Sequence, residues 1–396
     1  MRETVTAEQV YDLVVVGAGP AGAAAALAAR ASRPDARVLL VDKAEFPRDK
    51  SCGDAVSAHA GDELRRLGVA TLLEDWPAID RLRLRSPGGR AAARRCQRVN
   101  WVMPRRVFDA RLVEAAVARG VERRTQRVHT LEQRPGMVVL DGETAARVVV
   151  GADGSGSTVR RLLGVAPNPR DHLAVAVRAY SPAPAGRPEQ LIAMVGEGWP
   201  SYAWSFPVGD GTANVGYGLL RAHFDGGKAQ LHGRLAAALP DADPDPATLR
   251  AHHLPFSSRR PEPAAGRVLL AGDAASLVNP LSGEGIFSAL VSGRLAGRCA
   301  VEDPDAAGRR YPRLLHDTLG SHLAHVRVFA RVIRHRPFVE AAVAAASADR
   351  LVFDRMVDLT LGAGLVSPVA LLRVLRAYPG PLLWGSATHG RLAEDR

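Results

Sequence analysis

An apolar run followed directly by a glycine-rich turn constrains the fold of this chain more than any other feature. Residues 11–16, YDLVVV, predict a buried strand of a parallel sheet, and the alanine-rich segment after the turn predicts a helix to about Ala31. A second apolar run, 36–41, ends at Asp42. Together these elements predict a βαβ unit of about 30 residues.

The glycines between this strand and helix have the GxGxxG spacing typical of dinucleotide-binding turns. The first permits the tight turn, the second lets the backbone approach a pyrophosphate, and the third lets the helix pack closely on the sheet. Asp42 is placed to accept hydrogen bonds from a ribose and disfavours a 2′-phosphate. A tight turn without a ligand is the alternative. The cofactor-binding residues predicted here are Gly17, Gly19, Pro20, Ala21, Gly22, Asp42 and Lys43.

A second glycine cluster decides between the dinucleotides NAD and FAD. The apolar run 267–271 leads into Gly272 and Asp273, and the segment NPLSGEGI at 279–286 opens the next helix. An Asp here can hold a ribityl hydroxyl, and the helix dipole can stabilise negative charge on a reduced flavin ring. The alternative is a strand–turn–helix unit without a ligand, in which Asp273 caps the helix. It would not explain the glycines of the segment NPLSGEGI. FAD is therefore the predicted cofactor, with contacts from Gly272, Asp273, Pro280, Gly283, Gly285 and Ile286.

Segments with strand patterns and segments with helix patterns alternate along the chain, which predicts a discontinuous domain organisation. Short β segments with turns dominate residues 173–218, and helices dominate after Gly285. The predicted fold class is α/β: a Rossmann-type FAD-binding domain, an inserted and mostly antiparallel β substrate domain, and a helical C-terminal region. The predicted boundaries are 1–80, 98–170 and 266–330 for the FAD-binding domain, 81–97 and 171–265 for the β-rich domain, and 331–396 for the helical region.

The bulk composition excludes several classes of protein. The net charge is +11, but the arginines are scattered singly and in pairs, so we expect no nucleic-acid partner. Cysteines and histidines lack metal-ligand spacing, so no metal site is expected, and His252 and His253 are interpreted as structural. A signal sequence and an uncharged run of about 18 residues are both missing. We expect a cytoplasmic protein, and a peripheral contact with an anionic membrane stays open.

Three segments together resemble the FAD motifs of the para-hydroxybenzoate hydroxylase-like superfamily in order and spacing. They are GAGPAG at 17–22, GADG at 151–154, and GDAA with PLSGEGI within 272–286. The resemblance implies that Asp153, with Gly154, lies near the FAD pyrophosphate and helps to link the domains.

The same resemblance implies a cofactor contact from Arg105, which precedes Phe108 and Asp109. An arginine in this position lies beside the flavin tail in that superfamily. A surface arginine that begins a helix is the alternative.

A further segment, YAWSFP at 202–207, is similar to the YxWxFP motif of the geranylgeranyl reductase family. Tyr202, Trp204 and Phe206 alternate with period two, so their rings fall on one face of a strand. This face is interpreted as an aromatic wall above the flavin that lines a slot for a long apolar substrate. The alternative is an ordinary core face of a sheet.

The segment PRDKSCG at 47–53 resembles the PRxKxCG signature of the same family. Cys52, beside Gly53, either shapes the pocket and helps to deliver a proton at the reactive edge of the ring, or is a small buried apolar side chain. Lys50 is either a phosphate or substrate contact or a solvated loop lysine. The candidate catalytic residues are Cys52, Tyr202 and Trp204.

The family resemblance implies an enzyme that reduces C=C bonds in a polyprenyl or similar hydrophobic small molecule. Hydride would pass from reduced flavin to one alkene carbon, and an acid or ordered water, which the sequence does not identify, would protonate the other. A monooxygenase that tailors a natural product is the alternative, because the same fold supports hydroxylases and epoxidases. A flavin-bearing protein without catalysis is a third interpretation, which the intact glycines and both acidic residues oppose.

The sequence does not decide the electron donor or the role of the C-terminal region. No second GxGxxG follows a strand, so a separate nicotinamide domain is not expected, and the reductant is either NAD(P)H or ferredoxin, an electron-donor protein. From Val332 to Trp384 the residue pattern predicts helices, with clusters of apolar residues. These clusters predict a lid over a hydrophobic slot, a membrane-touching surface, or packing against the core.

Overall fold

The computed structural model describes residues 10–378, in which the strands form two eight-stranded sheets. The strands are β1 (Val10–Val16), β2 (Val38–Asp42), β3 (Ala55–Val56), β4 (Ala78–Arg85), β5 (Ala91–Val102), β6 (Glu122–Thr125), β7 (Leu131–Arg134), β8 (Met137–Leu140), β9 (Thr144–Gly151), β10 (Leu173–Pro182), β11 (Gln190–Val195), β12 (Ser201–Pro207), β13 (Thr212–Leu220), β14 (Arg250–Pro255), β15 (Ala264–Ala265) and β16 (Val268–Leu270). The helices are α1 (Pro20–Ser32), α2 (Ala58–Arg66), α3 (Arg105–Ala118), α4 (Thr158–Leu162), α5 (Lys228–Ala238), α6 (Ile286–Glu302), α7 (Ala307–Val332), α8 (Arg336–Ala348), α9 (Arg350–Leu361) and α10 (Pro368–Arg376).

The first sheet has a parallel centre, in the order β15-β16-β9-β1-β2-β6, with β8 and β7 continuing antiparallel from β9. Strand β1 pairs in parallel with both β2 and β9. Its residues Leu13, Val14 and Val15 are fully buried, as expected for a strand covered on both faces. Helix α1 packs along α6. The predicted Rossmann-type fold is confirmed, and the carboxyl ends of β1 and β2 face the glycine turn.

The second sheet is mostly antiparallel, in the order β14-β10-β13-β12-β11-β4-β5-β3, with β11 and β4 the parallel neighbours. An apolar cluster that includes Val177, Val215 and Leu235 joins this sheet to α5. A separate cluster that includes Leu84 and Phe353 joins it to α8, α9 and α10. The sheet therefore has apolar side chains packed on both faces, and helices lie against each.

Two stretches that the predicted boundaries assign to the FAD-binding domain, residues 98–102 and β3, pair in the second sheet instead. Strand β5 continues without a break to Val102, so residues 98–102 belong to the second sheet rather than to the FAD-binding domain. The reason is that Arg94, Arg95 and Arg98 are polar and partly or fully exposed, which hides the continuation of the strand from an apolar pattern. The short strand β3 also pairs with β5 in this sheet.

The region after α6 is helical, as predicted, through α10. The rest of that prediction, residues 379–396, lies outside the described residues. Helices α8, α9 and α10 pack against β4 and β5, so one of the predicted roles of this region, packing against the core, is observed. Among residues 10–378, no helix is both long enough and apolar enough to cross a membrane.

Candidate active site

The glycine turn after β1 forms one end of a cavity of about 570 Å³, here called the nucleotide cavity. Gly17 has φ +100°, and a Cβ on it would lie 2.4 Å from the carbonyl oxygen of Ala152. A Cβ on Gly22 would lie 1.8 Å from the carbonyl oxygen of Gly17, so the helix begins directly against the turn. No side chain caps α1 at Gly19. The first N–H groups of α1 are therefore available to an anion.

Asp42 lies in the wall of the nucleotide cavity and is held by backbone amides. Its Oδ2 accepts the N–H of Ala18 at 2.8 Å, and its Oδ1 accepts the N–H of Ala44 at 3.0 Å. These bonds fix the carboxylate at the end of β2, and each oxygen keeps a further lone pair for a ribose hydroxyl. Lys43 lines the same cavity with its side chain exposed.

Two guanidinium groups converge on the start of α1. A Cβ on Gly19 would lie 3.6 Å from an Nη2 atom of both Arg48 and Arg105. Asp109 orients both: its oxygens accept from Nε and Nη2 of Arg105 at 2.6 and 2.8 Å, and its Oδ2 lies 3.2 Å from Nη1 of Arg48. Burial favours the neutral form of Arg105, but the charge and hydrogen bonds of the Asp109 carboxylate favour the charged form more strongly. The pKa of Arg105 is therefore raised.

Arg105 is buried, so the alternative of a surface arginine is wrong. Arg48 was not singled out from the sequence, although it is the Arg of the PRDKSCG segment. With Arg105 and the helix N-terminus it forms a cationic site that suits a diphosphate.

Asp153 lines the nucleotide cavity, but its hydrogen bonds stay within its own loop. It accepts from the Ser157 hydroxyl at 2.5 Å and from the N–H groups of Thr158 and Val159 at 2.6 and 3.1 Å. Asp153 thus bonds to the first N–H groups of α4, whose N-cap residue is Ser157. Its expected role in linking the domains stays a prediction. Contacts from this part of the chain towards the second sheet come from the Ser155 hydroxyl, 3.0 Å from His252 Nε2, and from Asn168, whose amide donates to the carbonyl of Phe256 at 3.2 Å.

A group of charged side chains lies where the nucleotide cavity meets a second cavity. Lys50 Nζ lies 3.4 Å from Oδ2 of Asp273, and His252 Nε2 lies 3.0 Å from the Ser155 hydroxyl. Burial favours the neutral form of Asp273, but Lys50, His252 and Arg105 together hold the pKa of Asp273 below its usual value. Burial and the charge of Lys50 lower the pKa of His252 to about 4. Lys50 is thus not a solvated loop lysine. His252 lies in the cavity wall, and the structural role expected for it stays a prediction.

The second cavity, of about 150 Å³, is here called the aromatic cavity because Tyr202, Trp204 and Phe206 line it together. Their ring centroids are 5.8 Å apart for the first pair and 6.4 Å apart for the second. Ala203, between two of them, is fully buried in the core on the other face of the sheet. The predicted period-two alternation is present, and these rings face a cavity.

Cys52 lies in the same wall as the rings and is half-buried. Burial raises the pKa of its thiol, so the sulfur stays protonated at neutral pH. Trp204 and Phe206 lie close to Gly53, where a Cβ would come within 3.3 Å of the indole Nε1. The thiol therefore acts as a neutral group in the cavity rather than as a thiolate.

Behind this wall lies a buried network that the sequence did not reveal. Asp54 is fully buried, and its Oδ2 accepts from the Tyr180 hydroxyl at 2.6 Å and the Asn214 amide at 2.7 Å. The Asn214 amide group also accepts from Trp204 Nε1 and donates to the carbonyl of Cys52, both at 2.8 Å. Burial raises the pKa of Asp54 to about 6. The network fixes the aromatic wall to the loop that carries Cys52.

Glu284 also lines the aromatic cavity and was missed, although the sequence analysis quoted its motif. Its Oε1 accepts the N–H of Phe287 at 2.6 Å, at the start of α6. Burial raises the pKa of Glu284 to about 7. The carboxyl group can therefore hold a proton at neutral pH.

A third cavity, of about 380 Å³, lies between the second sheet and the C-terminal helices and is here called the apolar cavity. It shares Ile192, Tyr202, Leu254 and Ser282 with the aromatic cavity, so the two adjoin. Helices α7 to α10 supply most of its outer wall, which includes Phe338. Packing of these helices against the core is thus observed, and their role as a lid over a hydrophobic slot stays a prediction.

The predicted cofactor residues divide among the three cavities. Those that line the nucleotide cavity are Gly17, Gly19, Pro20, Ala21, Asp42, Lys43, Asp153, Gly154, Gly272 and Asp273. Those that line the aromatic cavity are Cys52, Gly53, Arg105, Gly283, Gly285 and Ile286. Pro280 lines the apolar cavity instead, and Gly22 supports the turn without lining a cavity. Within residues 10–378 no cluster of His, Cys, Asp or Glu could hold a metal ion.

These residues fit FAD. The uncapped start of α1, with Arg48 and Arg105, suits the diphosphate, and Asp42 suits the adenosine ribose. Asp273 lies at the border between the nucleotide and aromatic cavities, which suits the ribityl chain. The start of α6 and the aromatic wall enclose space for the ring system.

Comparison with known proteins agrees with this fit. A family model described as an FAD binding domain matches residues 10–292. Menaquinone reductase of Mycolicibacterium smegmatis is 36% identical, over 72% of this chain and 75% of its own length. Digeranylgeranylglycerophospholipid reductase 2 of Methanopyrus kandleri is 33% identical, over 74% of this chain and 77% of its own.

Among solved structures, the chain is similar to a geranylgeranyl bacteriochlorophyll reductase-like protein of Thermoplasma acidophilum. The TM-score is 0.78 at 20% identity, over 94% of this chain and 97% of the other, which is a likeness of fold. The family match and the relatives identify the activity class as an FAD-dependent oxidoreductase. The chain belongs to the geranylgeranyl reductase family, within the para-hydroxybenzoate hydroxylase-like superfamily.

Proposed function

We propose that this enzyme reduces isolated C=C bonds in the polyprenyl chain of a lipid. The observation that carries the proposal is the apolar cavity, which adjoins the aromatic cavity at Ile192, Tyr202 and Ser282. An extended apolar chain could lie along it with one double bond placed in the aromatic cavity. The names of the relatives support a reduction, and the archaeal one names a geranylgeranyl lipid.

The chain's own residues would bind the cofactor and position the alkene. Arg48, Arg105 and the start of α1 would hold the diphosphate, and Asp42 and Asp273 would hold the sugar hydroxyls. Bound FAD in its reduced form supplies the hydride for one alkene carbon. The rings of Tyr202 and Trp204 would limit the orientations of the alkene and exclude water from it.

Saturating the alkene also requires a proton for the second carbon. Glu284 lines the aromatic cavity, and because its pKa is raised to about 7 it is partly protonated at neutral pH. A group whose pKa lies near the working pH is an effective general acid. We take Glu284 as the candidate donor, ahead of Cys52, because the raised pKa of the thiol makes it a weak acid.

Reoxidation of the enzyme without dioxygen tests the proposal. Holoenzyme reduced with dithionite would be mixed anaerobically with a geranylgeranyl lipid, and flavin absorbance would be followed by stopped flow. We expect reoxidation that requires the unsaturated chain and is not seen with the fully saturated lipid. Reduced enzyme that stays reduced with both lipids, and that forms an oxygenated lipid once dioxygen enters, would support a monooxygenase instead.

The electron donor is a separate proposal, with NAD(P)H and ferredoxin as the two candidates. Oxidised holoenzyme would be mixed with each donor, and the rate of flavin bleaching compared. If neither donor nor dithionite reduced the flavin, the chain would be a flavin-bearing protein without this catalysis.

A further inference from the structure

Asp54 lies behind the aromatic wall and is surrounded by hydrogen-bond donors. Its side chain is fully buried, and its backbone has φ +59°, in the left-handed region that few residues other than glycine adopt. Its Oδ1 accepts the N–H of Arg105 at 3.2 Å, and its Oδ2 accepts the Tyr180 hydroxyl at 2.6 Å and the Asn214 amide at 2.7 Å. In this arrangement all three neighbours donate, so both oxygens of the side chain must accept.

One oxygen of Asp54 serves the cofactor side of the site. Oδ1 holds the start of α3, and the backbone carbonyl of Asp54 also accepts the N–H of Met103 at 2.9 Å, two residues before Arg105. The guanidinium of Arg105 lies beside Gly19 in the glycine turn. Asp54 therefore fixes the backbone that carries one of the two arginines suited to the diphosphate.

The other oxygen of Asp54 is joined to the aromatic wall through Asn214. Asn214 is fully buried, and its Oδ1 accepts from Nε1 of Trp204 at 2.8 Å while its Nδ2 donates to Asp54. The same Nδ2 donates to the carbonyl of Cys52 at 2.8 Å. An unbroken series of three hydrogen bonds thus connects the N–H of Arg105 with the indole ring of Trp204.

An uncharged side chain of the same shape could not replace this carboxylate, because an amide has only one acceptor oxygen. If that oxygen faced Asn214, the NH₂ group would point at the N–H of Arg105. If it faced Arg105 instead, Asn214 would have to turn its own amide, and Nε1–H of Trp204 would meet an NH₂ group. Only a carboxylate at position 54 serves both sides at once.

The surroundings of Asp54 allow it to carry the charge that this role needs. Burial raises its pKa to about 6, against the hydrogen bond from Tyr180 and the charge of Arg178. Arg178 is itself buried, and its guanidinium carbon lies 4.7 Å from the centre of the Tyr180 ring. The carboxyl group is therefore mostly ionised at neutral pH, as its three donors require.

We propose that Asp54 is a positioning residue for the flavin reaction, because it holds the Trp204 ring at a fixed distance from the ring system of the bound flavin. It does so as the shared acceptor of Arg105, on the cofactor side, and Asn214, on the side of the aromatic wall. A hydride moves only between atoms in near contact, so a small displacement of this wall lowers the rate. The inference rests on the FAD site and not on the identity of the substrate, so it goes beyond the proposed function.

The fluorescence lifetime of bound FAD tests this role without turnover. An indole ring quenches flavin fluorescence by electron transfer at short range, so the lifetime reports how close Trp204 is to the flavin. The test variant is Asp54→Asn, and Asn214→Ala breaks the same link should the first variant fail to fold. The matched control is Tyr180→Phe, which removes one hydrogen bond from the same carboxylate but leaves Arg105 and Asn214 bonded to it.

We expect Trp204→Phe to lengthen the lifetime, and Asp54→Asn and Asn214→Ala to lengthen it as well while keeping the FAD content of the wild type. In the Trp204→Phe background, Asp54→Asn should cause no further change, because the effects of residues that act through one another are not additive. Tyr180→Phe should keep the wild-type lifetime. The exchange of Asp54→Asn together with Asn214→Asp keeps an acceptor for both Arg105 and Trp204, and should restore part of the quenching.

Single-turnover reoxidation by a geranylgeranyl lipid adds a kinetic measurement. Asp54→Asn should lower the rate constant at saturating lipid by about 10–100-fold, the effect expected of a misplacement of about 1 Å. The lipid concentration at half-saturation should stay nearly unchanged, because the apolar cavity is intact. A general loss of structure would change both quantities.

Four results would overturn the inference. They are an unchanged lifetime in Trp204→Phe, an unchanged lifetime in FAD-loaded Asp54→Asn or Asn214→Ala, an equal effect of Asp54→Asn with and without Trp204, and equal lengthening by Tyr180→Phe. Loss of FAD from Asp54→Asn would also overturn it and would assign the residue to cofactor binding. If the lipid failed to reoxidise the wild type, the proposed function would be wrong, and the lifetimes would still decide the role of Asp54.

Discussion

Glu284 illustrates how one residue can connect the fold to the chemistry. The start of α6 holds its carboxyl group through the N–H of Phe287, and burial in the aromatic cavity raises its pKa to about 7. The neighbouring Gly283 and Gly285 line the same cavity. The carboxyl group is thus fixed in place and able to release a proton near neutral pH.

Replacing Glu284 with Gln should slow alkene reduction by about 100-fold, because Gln keeps the shape and hydrogen bonding but has no proton to give. The wild-type rate should fall as the pH rises through about 7, and the variant should lose that dependence. Single-turnover reoxidation of the reduced enzyme measures both. An unchanged rate with the same descending limb would exclude Glu284 as the donor.

The same residue should also affect stability in a pH-dependent way. Its pKa is about 7 in the folded chain and near the ordinary value of 4.5 when unfolded. Between these values the folded state binds more protons, so Glu284 destabilises the fold increasingly as the pH rises from 4.5 and by a constant amount above about 7. The Tm of Glu284→Gln relative to wild type should therefore rise between pH 5 and pH 7 and then level off. A difference in Tm that is constant or decreasing across this range would contradict the raised pKa.

Individual residues could be predicted from sequence only where their role is local. Gly17 and Asp42 belong to one short βαβ unit, so their spacing indicated their place in the nucleotide cavity. Asp54 and Asn214 could not be found in this way, because they are 160 positions apart and meet only when the second sheet packs on the Cys52 loop. Asn214 has no motif of its own.

Among the secondary-structure elements, the pairing of β12 with β13 determines the position of the Trp204 ring in the aromatic wall. Trp204 is opposite Gly216 in the register, and a Cβ on Gly216 would lie 2.0 Å from the indole ring. The ring therefore lies across a position where the neighbouring strand has no side chain. On its other side, Trp204 is opposite Ile192 of β11.

Replacing Gly216 with Ala should displace Trp204 and lower the free energy of unfolding by about 1–3 kcal/mol, the usual cost of overpacking. Gly218, on the same strand, is the matched control, because its nearest contact to an added Cβ is 3.3 Å away. Chemical denaturation of both variants measures the difference. Equal effects of the two substitutions would contradict the close approach of Trp204.

Strands and helices were predicted best where buried positions produce a regular pattern of apolar residues in the sequence. The alternation in β12 and the apolar run of β1 needed no tertiary information. The predicted end of the β segment came before the end of β5, because arginines on the exposed face of this strand interrupt the apolar pattern from which strands are predicted. Which elements would pair, such as β11 in parallel with β4, depended on packing over more than 100 residues.

For the whole molecule, the essential arrangement is three adjoining cavities formed between two sheets and the C-terminal helices. Residues of the second sheet, of the loop that carries Cys52 and of the start of α6 meet at the aromatic cavity. The sequence indicated an FAD site and a hydrophobic slot, since both have local motifs.

The junction of the apolar and aromatic cavities can be closed by one substitution. Ile192 lines both cavities, so Ile192→Trp should fill the space where they adjoin and lower product formation by about 100-fold through misplacement of the chain. Ile192→Val leaves that space open and is the control. The FAD content of both variants, measured by absorbance, should equal that of the wild type. Normal turnover by Ile192→Trp would mean that the substrate reaches the flavin by another route.

The mass of the product distinguishes reduction of the alkene from its oxygenation. FAD-loaded enzyme, a geranylgeranyl lipid and a chemical reductant would be incubated without dioxygen, and the lipid analysed by mass spectrometry. We expect a gain of two hydrogen atoms for each double bond reduced. Product that forms only with dioxygen present, and that carries an added oxygen atom, would contradict it.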